Sequence, residues 1–445
     1  MSKFHIVKLG CPKNDADMEV LKGLLEKEGY TYEKVPEEAD YIFIDTCGFI
    51  EDAKKENIES IFEYVSFKEI NKNIKVIPIG CLTERYFDEI LKDIPEIDGL
   101  FGVLSPKTII DKLKKKEYYF KADTPESTYI CEVRAKPELS YAYVKIADGC
   151  SRNCAFCSIP TFKGKPKSRS IEDIKKEIDF LVQNGVKEII LVSQDNTLYG
   201  VDNYKKQALP DLLKELEKIE GKFWIRVMYL HPDFLTQEII DSIHLNKKVL
   251  NYFDIPIQHV SEKILNAMGR VKKKEELTKL FESIRKKPSV IRTTLMVGFP
   301  GEKDEDFEEL LDFVKDVKFD RMGSFTFSKE ENTKAYKLPE QVSEKVKNQR
   351  QEELMNVQSK ISQDIMESYM GKVLEVLVEE YDNGIYIGRS FLDAPEIDGN
   401  VFIKRGSEIE LSLGDFTKVE ITNFYEYDME GEVVQNEFTK PIELF

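Results

Sequence analysis

Twice along the chain, short apolar runs alternate with stretches of helical period, and near Gly371 that alternation stops. Strand–helix–strand repeats force parallel pairing, because the intervening helix carries the chain back to the end of the sheet where the next strand must start. The first series has apolar runs at 4–9, 41–45 and 76–79, with a helix from Asn14 to Gly29 and another from Glu51. Asn14 or Asp15 suits the N-cap of the first helix, and Gly29 its exit. The second series has six candidate strands, at 141–147, 188–193, 223–228, 252–255, 291–297 and 321–327, with helices such as 171–183 and 305–317 between them. Six such repeats suit an open, partial barrel with its active site at the strand C-termini. A long polar helix at 342–370 follows, then short alternating runs at 373–378, 385–388, 400–403, 408–413 and 419–425, divided by turn signals such as Asp382-Asn383-Gly384. These read as a small β-barrel of the oligonucleotide-binding type. The expected fold is α/β: an N-terminal open α/β sheet domain (1–115), a linker with at most one edge strand (116–139), a central partial (β/α)6 barrel with its trailing helix (140–370), and a small antiparallel β-barrel (371–445).

Seven cysteines among 445 residues are too sparse and uneven for a secreted disulfide framework, and closely spaced ones then read as metal ligands or catalytic thiols. Cys150, Cys154 and Cys157 have the spacing C-x3-C-x2-C directly after an expected strand. Three thiolates on one tight loop can hold three irons of a cubane and leave the fourth iron open to a substrate or cofactor. A zinc loop is the alternative, but zinc favours four ligands in paired groups, and no second pair or nearby histidine is present. Cys11, Cys47 and Cys81 each fall one or two residues past a strand end, where open α/β sheets gather functional groups. They are either one rim or three unrelated buried thiols. Cys131 is left over and reads as a packed free thiol.

The net charge of −17 argues against general affinity for nucleic-acid phosphates. Four histidines without a serine–histidine–acid grouping argue against hydrolysis. Gly298-Phe299-Pro300-Gly301-Glu302 lacks the Gly-Lys-Ser/Thr ending of a phosphate loop. No apolar run approaches the ~18–20 residues that span a bilayer, and the N-terminus lacks the layout of a secretory signal, so a soluble, cytoplasmic protein is expected. Lys163, Lys165, Lys167 and Arg169 form a basic stretch, either a solvated face or a holder for an acidic substrate side chain. His259 either lines the barrel mouth or is a satisfied structural histidine.

The cysteine loop, with Phe156 before its last cysteine, resembles the radical S-adenosylmethionine superfamily. Leu9-Gly10-Cys11-Pro12-Lys13-Asn14, Asp45-Thr46-Cys47, Gly80-Cys81, Asp148-Gly149-Cys150, Ser193-Gln194-Asp195, Asp254-Ile255-Pro256-Ile257-Gln258-His259 and Val297-Gly298-Phe299-Pro300-Gly301-Glu302 narrow the resemblance to its methylthiotransferases. The last segment resembles their TRAM barrel, and only the 116–139 linker is uncovered. The resemblance implies a catalytic 4Fe–4S cluster on Cys150, Cys154 and Cys157 that binds S-adenosylmethionine and cleaves it to a 5′-deoxyadenosyl radical. It also implies a second 4Fe–4S cluster on Cys11, Cys47 and Cys81, whose open iron carries the sulfur. Phe156 would lie near the adenine, with core packing as the alternative; Gln194, Arg226 and Gly298 are further candidates for cofactor contact. Turnover would consume two S-adenosylmethionine molecules and require an electron donor.

The family has a branch acting on a tRNA adenosine and a branch modifying an aspartate of small-subunit ribosomal protein S twelve. Leu9 to Asn14, Cys157-Ser158-Ile159-Pro160 and Phe162-Lys163-Gly164 look like the second. The tRNA branch more often follows its first cysteine with Gln-Met-Asn. Outside enzymes, an iron–sulfur electron carrier or a nucleic-acid-binding protein with a structural metal are the rivals. Residues 371–445 carry seventeen carboxylates against six cations, most of the chain's negative charge. A barrel that gripped RNA would present cations beside its stacking aromatics. This one has Phe391, Phe424, Tyr425 and Tyr427 in an acidic surround, which suits docking of a basic protein and disfavours free tRNA; plain solubility is the alternative.

Overall fold

The computed structural model describes residues 2–126, 129, 131, 133–404 and 410–434. Its N-terminal sheet is wholly parallel, in the order Thr31–Tyr32, Lys3–Lys8, Tyr41–Thr46, Lys75–Gly80, Leu100–Phe101, Tyr119–Phe120. Lys3–Lys8 and Tyr41–Thr46 are neighbours, yet the chain leaves the first to build one edge of the sheet and the second to build the other. That is a topological switch point, where a crevice opens beyond the strand C-termini. Ile42, Phe43 and Ile44 are all fully buried, as a strand covered on both faces requires. Tyr119–Phe120 carries the sheet into the stretch expected to be linker; strands of two residues are too short to show a period. The helix Pro12–Lys27 starts earlier than expected: Cys11 is its N-cap and Pro12 supplies the pre-set φ of its first turn. Asn14 is thereby freed to bond elsewhere.

The central domain has six parallel strands, Tyr141–Lys145, Glu188–Val192, Trp224–Val227, Tyr252–Asp254, Val290–Val297 and Arg321–Thr326. They form two ladders of three, joined by the parallel Ile225–Val249 bridge. The surrounding helices bury apolar stripes against them, as in Ile171–Gln183, where Ile174, Ile178 and Leu181 are fully buried. The result is the expected open barrel.

At the C-terminus, Val373–Asp382, Ile385–Ser390, Val401–Lys404, Met429–Val433 and Phe416–Phe424 close into a barrel in that order. Four pairings are antiparallel, and Val401–Lys404 with Met429–Val433 is parallel. Five strands in a closed ring cannot alternate direction throughout, so at least one parallel pair is required. The fifth strand is Met429–Val433, whose Met-Glu-Gly-Glu-Val sequence gives little apolar signal. Of the run expected at 408–413, residues 408 and 409 lie outside the described residues and 410–413 are irregular. The barrel packs into the concave face of the central domain: Tyr143, Ile190, Trp224 and Tyr252 share one apolar cluster with Leu374, Phe391, Val401 and Met429.

Candidate functional site

Three strand ends on either side of the switch point present thiols. Cys11 follows Lys3–Lys8, Cys47 follows Tyr41–Thr46, and Cys81 follows Lys75–Gly80. Two glycines let these turns close on one another. Gly80 has φ +114°, a conformation that favours glycine. At Gly48 a Cβ would come within 2.9 Å of the Cys81 backbone. The Cys47 amide donates to Asn57 Oδ1 at 2.8 Å, Thr46 Oγ1 donates to the Ile79 carbonyl at 2.7 Å, and Arg85 donates to the Gly48 carbonyl at 2.5 Å. Burial pushes the Cys47 thiol up to about 11 and Cys81 higher still, and each of the two also feels Cys11.

The second triad lies on the loop after Tyr141–Lys145. The Cys150 amide donates to the Gly164 carbonyl at 3.0 Å, Cys157 to the Cys154 carbonyl at 3.1 Å, and Ala155 to the Met268 carbonyl at 2.9 Å. The Arg152 amide lies 3.4 Å from the Cys150 sulfur; its guanidinium pairs with Asp195 at 2.9 Å and stacks 3.2 Å from the Phe234 ring centre. Burial pushes Cys150 to about 11 and Cys157 to about 12. In these thiols burial outweighs the nearby cations Arg152, Lys163 and Lys13, and a thiol raised in this way favours a metal that takes its proton's place. Among the described residues, no three Cys, His, Asp or Glu side chains converge as closely as a single metal ion would need. A cubane spreads its thiolates over separate irons, and the all-thiol donor sets fit it.

All six cysteines line one cavity of about 300 Å³ where the N-terminal sheet meets the central barrel. Its wall carries a buried polar chain that sequence reasoning did not assemble. Asp148 accepts from the Gly149 amide at 2.8 Å, Gln194 Nε2 at 3.0 Å and Lys163 at 3.1 Å. Lys163 reaches Asn14 Oδ1 at 3.4 Å, and Asn14 Nδ2 donates to Asp45 at 2.8 Å. Burial alone would raise the Asp148 carboxyl, but Lys163 and Lys145 overcome it and hold it well below its ordinary value. Burial keeps Asp45 high. Tyr229 and Gln258, both cavity residues, have φ +55° and +72°, which no sequence pattern announces. His231 bonds Arg270 at 2.7 Å; burial and the cations Arg270 and Arg152 push it down to about 2, so it is neutral.

Of the expected cofactor contacts, Phe156 and Gln194 line the cavity and Arg226 and Gly298 are not among its lining residues. Arg226, next to last in Trp224–Val227, lies on the face turned to the C-terminal barrel: it pairs with Glu188 at 2.6 Å and donates to the Phe391 and Asp393 carbonyls at 3.1 and 2.9 Å. The Gly298 amide donates to Glu302 at 2.7 Å, and Arg350 holds Glu302 at 2.9 Å, making that segment a self-bonded turn. His259 is fully buried, accepts from the Ser261 amide at 3.0 Å and is pushed down to about 3 by burial, a structural histidine. The basic stretch splits: Lys165 and Lys167 are solvated, while Lys163 and Arg169 are buried in ion pairs. Cys131 is a free, half-buried thiol pushed up to about 12 by burial.

Three family models match consecutive segments: Uncharacterized protein family UPF0004 at 3–102, the radical SAM superfamily at 144–314 and the TRAM domain at 370–434. The ribosomal protein uS12 methylthiotransferase RimO of Petrotoga mobilis is 73% identical over 98% of this chain and 100% of its own length. That of Thermosipho africanus is 50% identical over 97% and 99%. Among solved structures, the radical S-adenosylmethionine methyltransferase TsrM of Kitasatospora setae, with tryptophan and a SAM analogue bound, aligns at TM-score 0.54 and 12% identity, over 73% of each chain. OxsB, a cobalamin-dependent radical enzyme, aligns at 0.51 and 13% identity, over 81% of this chain and 56% of that one. At these identities both show the fold alone. Identity at that level along the whole chain, with the three domain models in order, means that the chain belongs to the RimO family of radical SAM methylthiotransferases.

Proposed function

We propose that this chain methylthiolates an aspartate of ribosomal protein uS12. It would do so with one 4Fe–4S cluster on Cys150, Cys154 and Cys157, a second on Cys11, Cys47 and Cys81, and two S-adenosylmethionine molecules per turnover. The observation that carries the reading is the convergence of both thiol triads on one cavity of about 300 Å³. When bound, the clusters and S-adenosylmethionine supply the hydrogen-abstracting radical and the methylthio group. The chain's own residues position and shield. Arg152 and Asp195 pin the loop of the second triad, Gln194 and Asp148 brace its entrance, and burial on both sides excludes water from the reacting centre. Residues 1–115 would serve the sulfur-carrying cluster, 140–370 the radical and 371–445 the partner. A ribosomal protein as substrate places the work in the cytoplasm, with an external electron donor.

Reconstituting the protein anaerobically with iron and sulfide, then offering it ribosomal protein uS12 and tRNA together, tests this. Mass spectrometry should find the methylthio group on an aspartate-containing peptide; a modified tRNA adenosine would instead support membership of the tRNA branch.

Charge on the C-terminal barrel favours the protein substrate. Glu420 and Glu432 are directly opposed across two strands and both exposed, an arrangement that costs stability in a sheet. Such a face attracts a basic protein and repels phosphates. Removing the barrel would strip Arg321 of Asp393 and Arg226 of the Phe391 and Asp393 carbonyls, so a Glu420→Lys, Glu432→Lys variant is the sounder test. It should weaken uS12 binding, and added salt should weaken the wild-type complex. Salt-insensitive binding would contradict the charge argument.

A further inference from the structure

Three lysines are buried where the N-terminal sheet meets the central barrel: Lys13, Lys145 and Lys163. Lys145 pairs with Asp17 at 2.5 Å and Lys163 with Asp148 at 3.1 Å. Lys13 is left over. It is only 8% exposed, lines the cavity between the two triads, and has no carboxylate within ion-pair distance among the described residues. Its ammonium instead lies 4.1 Å from the centre of the Tyr229 ring. A ring face steadies a cation without neutralising it. Tyr229 is held for that purpose at φ +55°, with its amide donating to Asp254 at 2.9 Å and its carbonyl accepting from the Asn196 amide at 3.1 Å.

Cys11 and Asp148 favour the charged form of Lys13, yet no carboxylate reaches ion-pair distance among the described residues, and a buried cation left so on the side of a cavity attracts an anion. We propose that Lys13 binds the side-chain carboxylate of the aspartate that the protein substrate inserts into this cavity, and so selects aspartate over neutral side chains. The inference rests on the uS12 reading above. Its chemistry is economical: the carboxylate carbon is bonded to the β-carbon that would react, so anchoring the carboxylate confines the reacting C–H to a one-bond radius. Asparagine has the same shape but leaves the ammonium without a counter-charge, as an adenine would. Of the cations that the sequence offered for this task, Lys163 is already taken by Asp148, Arg169 by Asp173 and Glu177, and Lys165 and Lys167 are exposed.

The test uses the reconstituted full-length protein and two labelled uS12 peptides that differ only in aspartate or asparagine at the modified position. Fluorescence anisotropy should show wild type favouring the aspartate peptide by about 10- to 100-fold, the range of a charge-assisted hydrogen bond. Lys13→Met should bring that ratio close to one, and Lys13→Arg should keep most of it. Iron per chain is measured in parallel. A preference that survives in Lys13→Met overturns the assignment, as does loss of iron in that variant, which would tie the lysine to the thiols. Wild type that binds neither peptide while modifying tRNA overturns the uS12 reading itself, and this inference with it.

Discussion

The central barrel meets its two neighbours with the same materials and opposite results. Against the C-terminal barrel, buried charges are closed into pairs: Glu188 lies between Arg226 and Arg389 at 2.6 Å each, Arg321 pairs with Asp393, and Arg292 with Asp254 at 3.0 Å. Around them runs a continuous apolar cluster. Against the N-terminal sheet, pairs such as Lys145 with Asp17 and Arg85 with Glu330 surround a contact whose centre is left unfinished: six free thiols, an ammonium over a ring and a cavity of about 300 Å³. Completed pairing gives a joint, and incomplete pairing around a cavity marks a place prepared for something else.

Replacing Cys150, Cys154 and Cys157 together by alanine should strike the unfinished contact hardest. Cleavage of S-adenosylmethionine should vanish, and iron should fall by about half of the roughly eight expected from two cubanes. Complete loss of iron would mean that the triads are not independent. Cys47→Ala should cut finer, still producing 5′-deoxyadenosine but transferring no methylthio group, as chromatography and mass spectrometry of one reaction would reveal.

Arg226→Met probes the finished contact. It leaves Glu188 buried beside one arginine instead of two and frees the Phe391 carbonyl, while the Asp393 carbonyl keeps Arg389, so denaturant unfolding should show a loss of about 3–5 kcal/mol. Cofactor cleavage per folded molecule should stay within twofold of wild type. A large drop in cleavage with unchanged stability would return Arg226 to the cofactor. Acid is the gentlest probe. Burial raises the Glu188 carboxyl, but Arg226 and Arg389 outweigh it and hold it below its ordinary 4.5. Its contribution is therefore full above that value and fades as pH falls through the lower folded one. Thermal melts should be flat in this respect from neutral pH to about 5 and decline below about 4.5. Glu188→Gln should flatten that decline.

What the sequence disclosed followed the range of the interactions. The Cys150–Cys157 loop is local, so its spacing alone announced three thiols on one turn. Cys11, Cys47 and Cys81 became one rim only because strand ends on both sides of a switch point face the same crevice, which the alternation of strands and helices implied. The six central strands were legible as apolar runs and the helix at 171–183 by its period. Strands of two residues and the polar Met429–Val433 were not, since register with neighbours, not pattern, creates them. Lys13, Tyr229, Asn14 and Arg270 escaped notice as cavity residues for a related reason. Their neighbours come from other elements, and the φ of Tyr229 is set by Asp254 and Asn196.

The interlock of Arg226, Glu188 and Arg389 bears on how the polypeptide is made. A ribosome releases the central barrel before residues 371–434 exist, so the newborn barrel holds Arg226 against Glu188 while Arg389 and the Phe391 and Asp393 carbonyls are still unsynthesised. Its concave face, with Trp224 and Tyr252, stays uncovered for the same interval. The nascent chain thus presents an apolar hollow floored by an ion pair, a surface that invites chaperones until the last strands arrive.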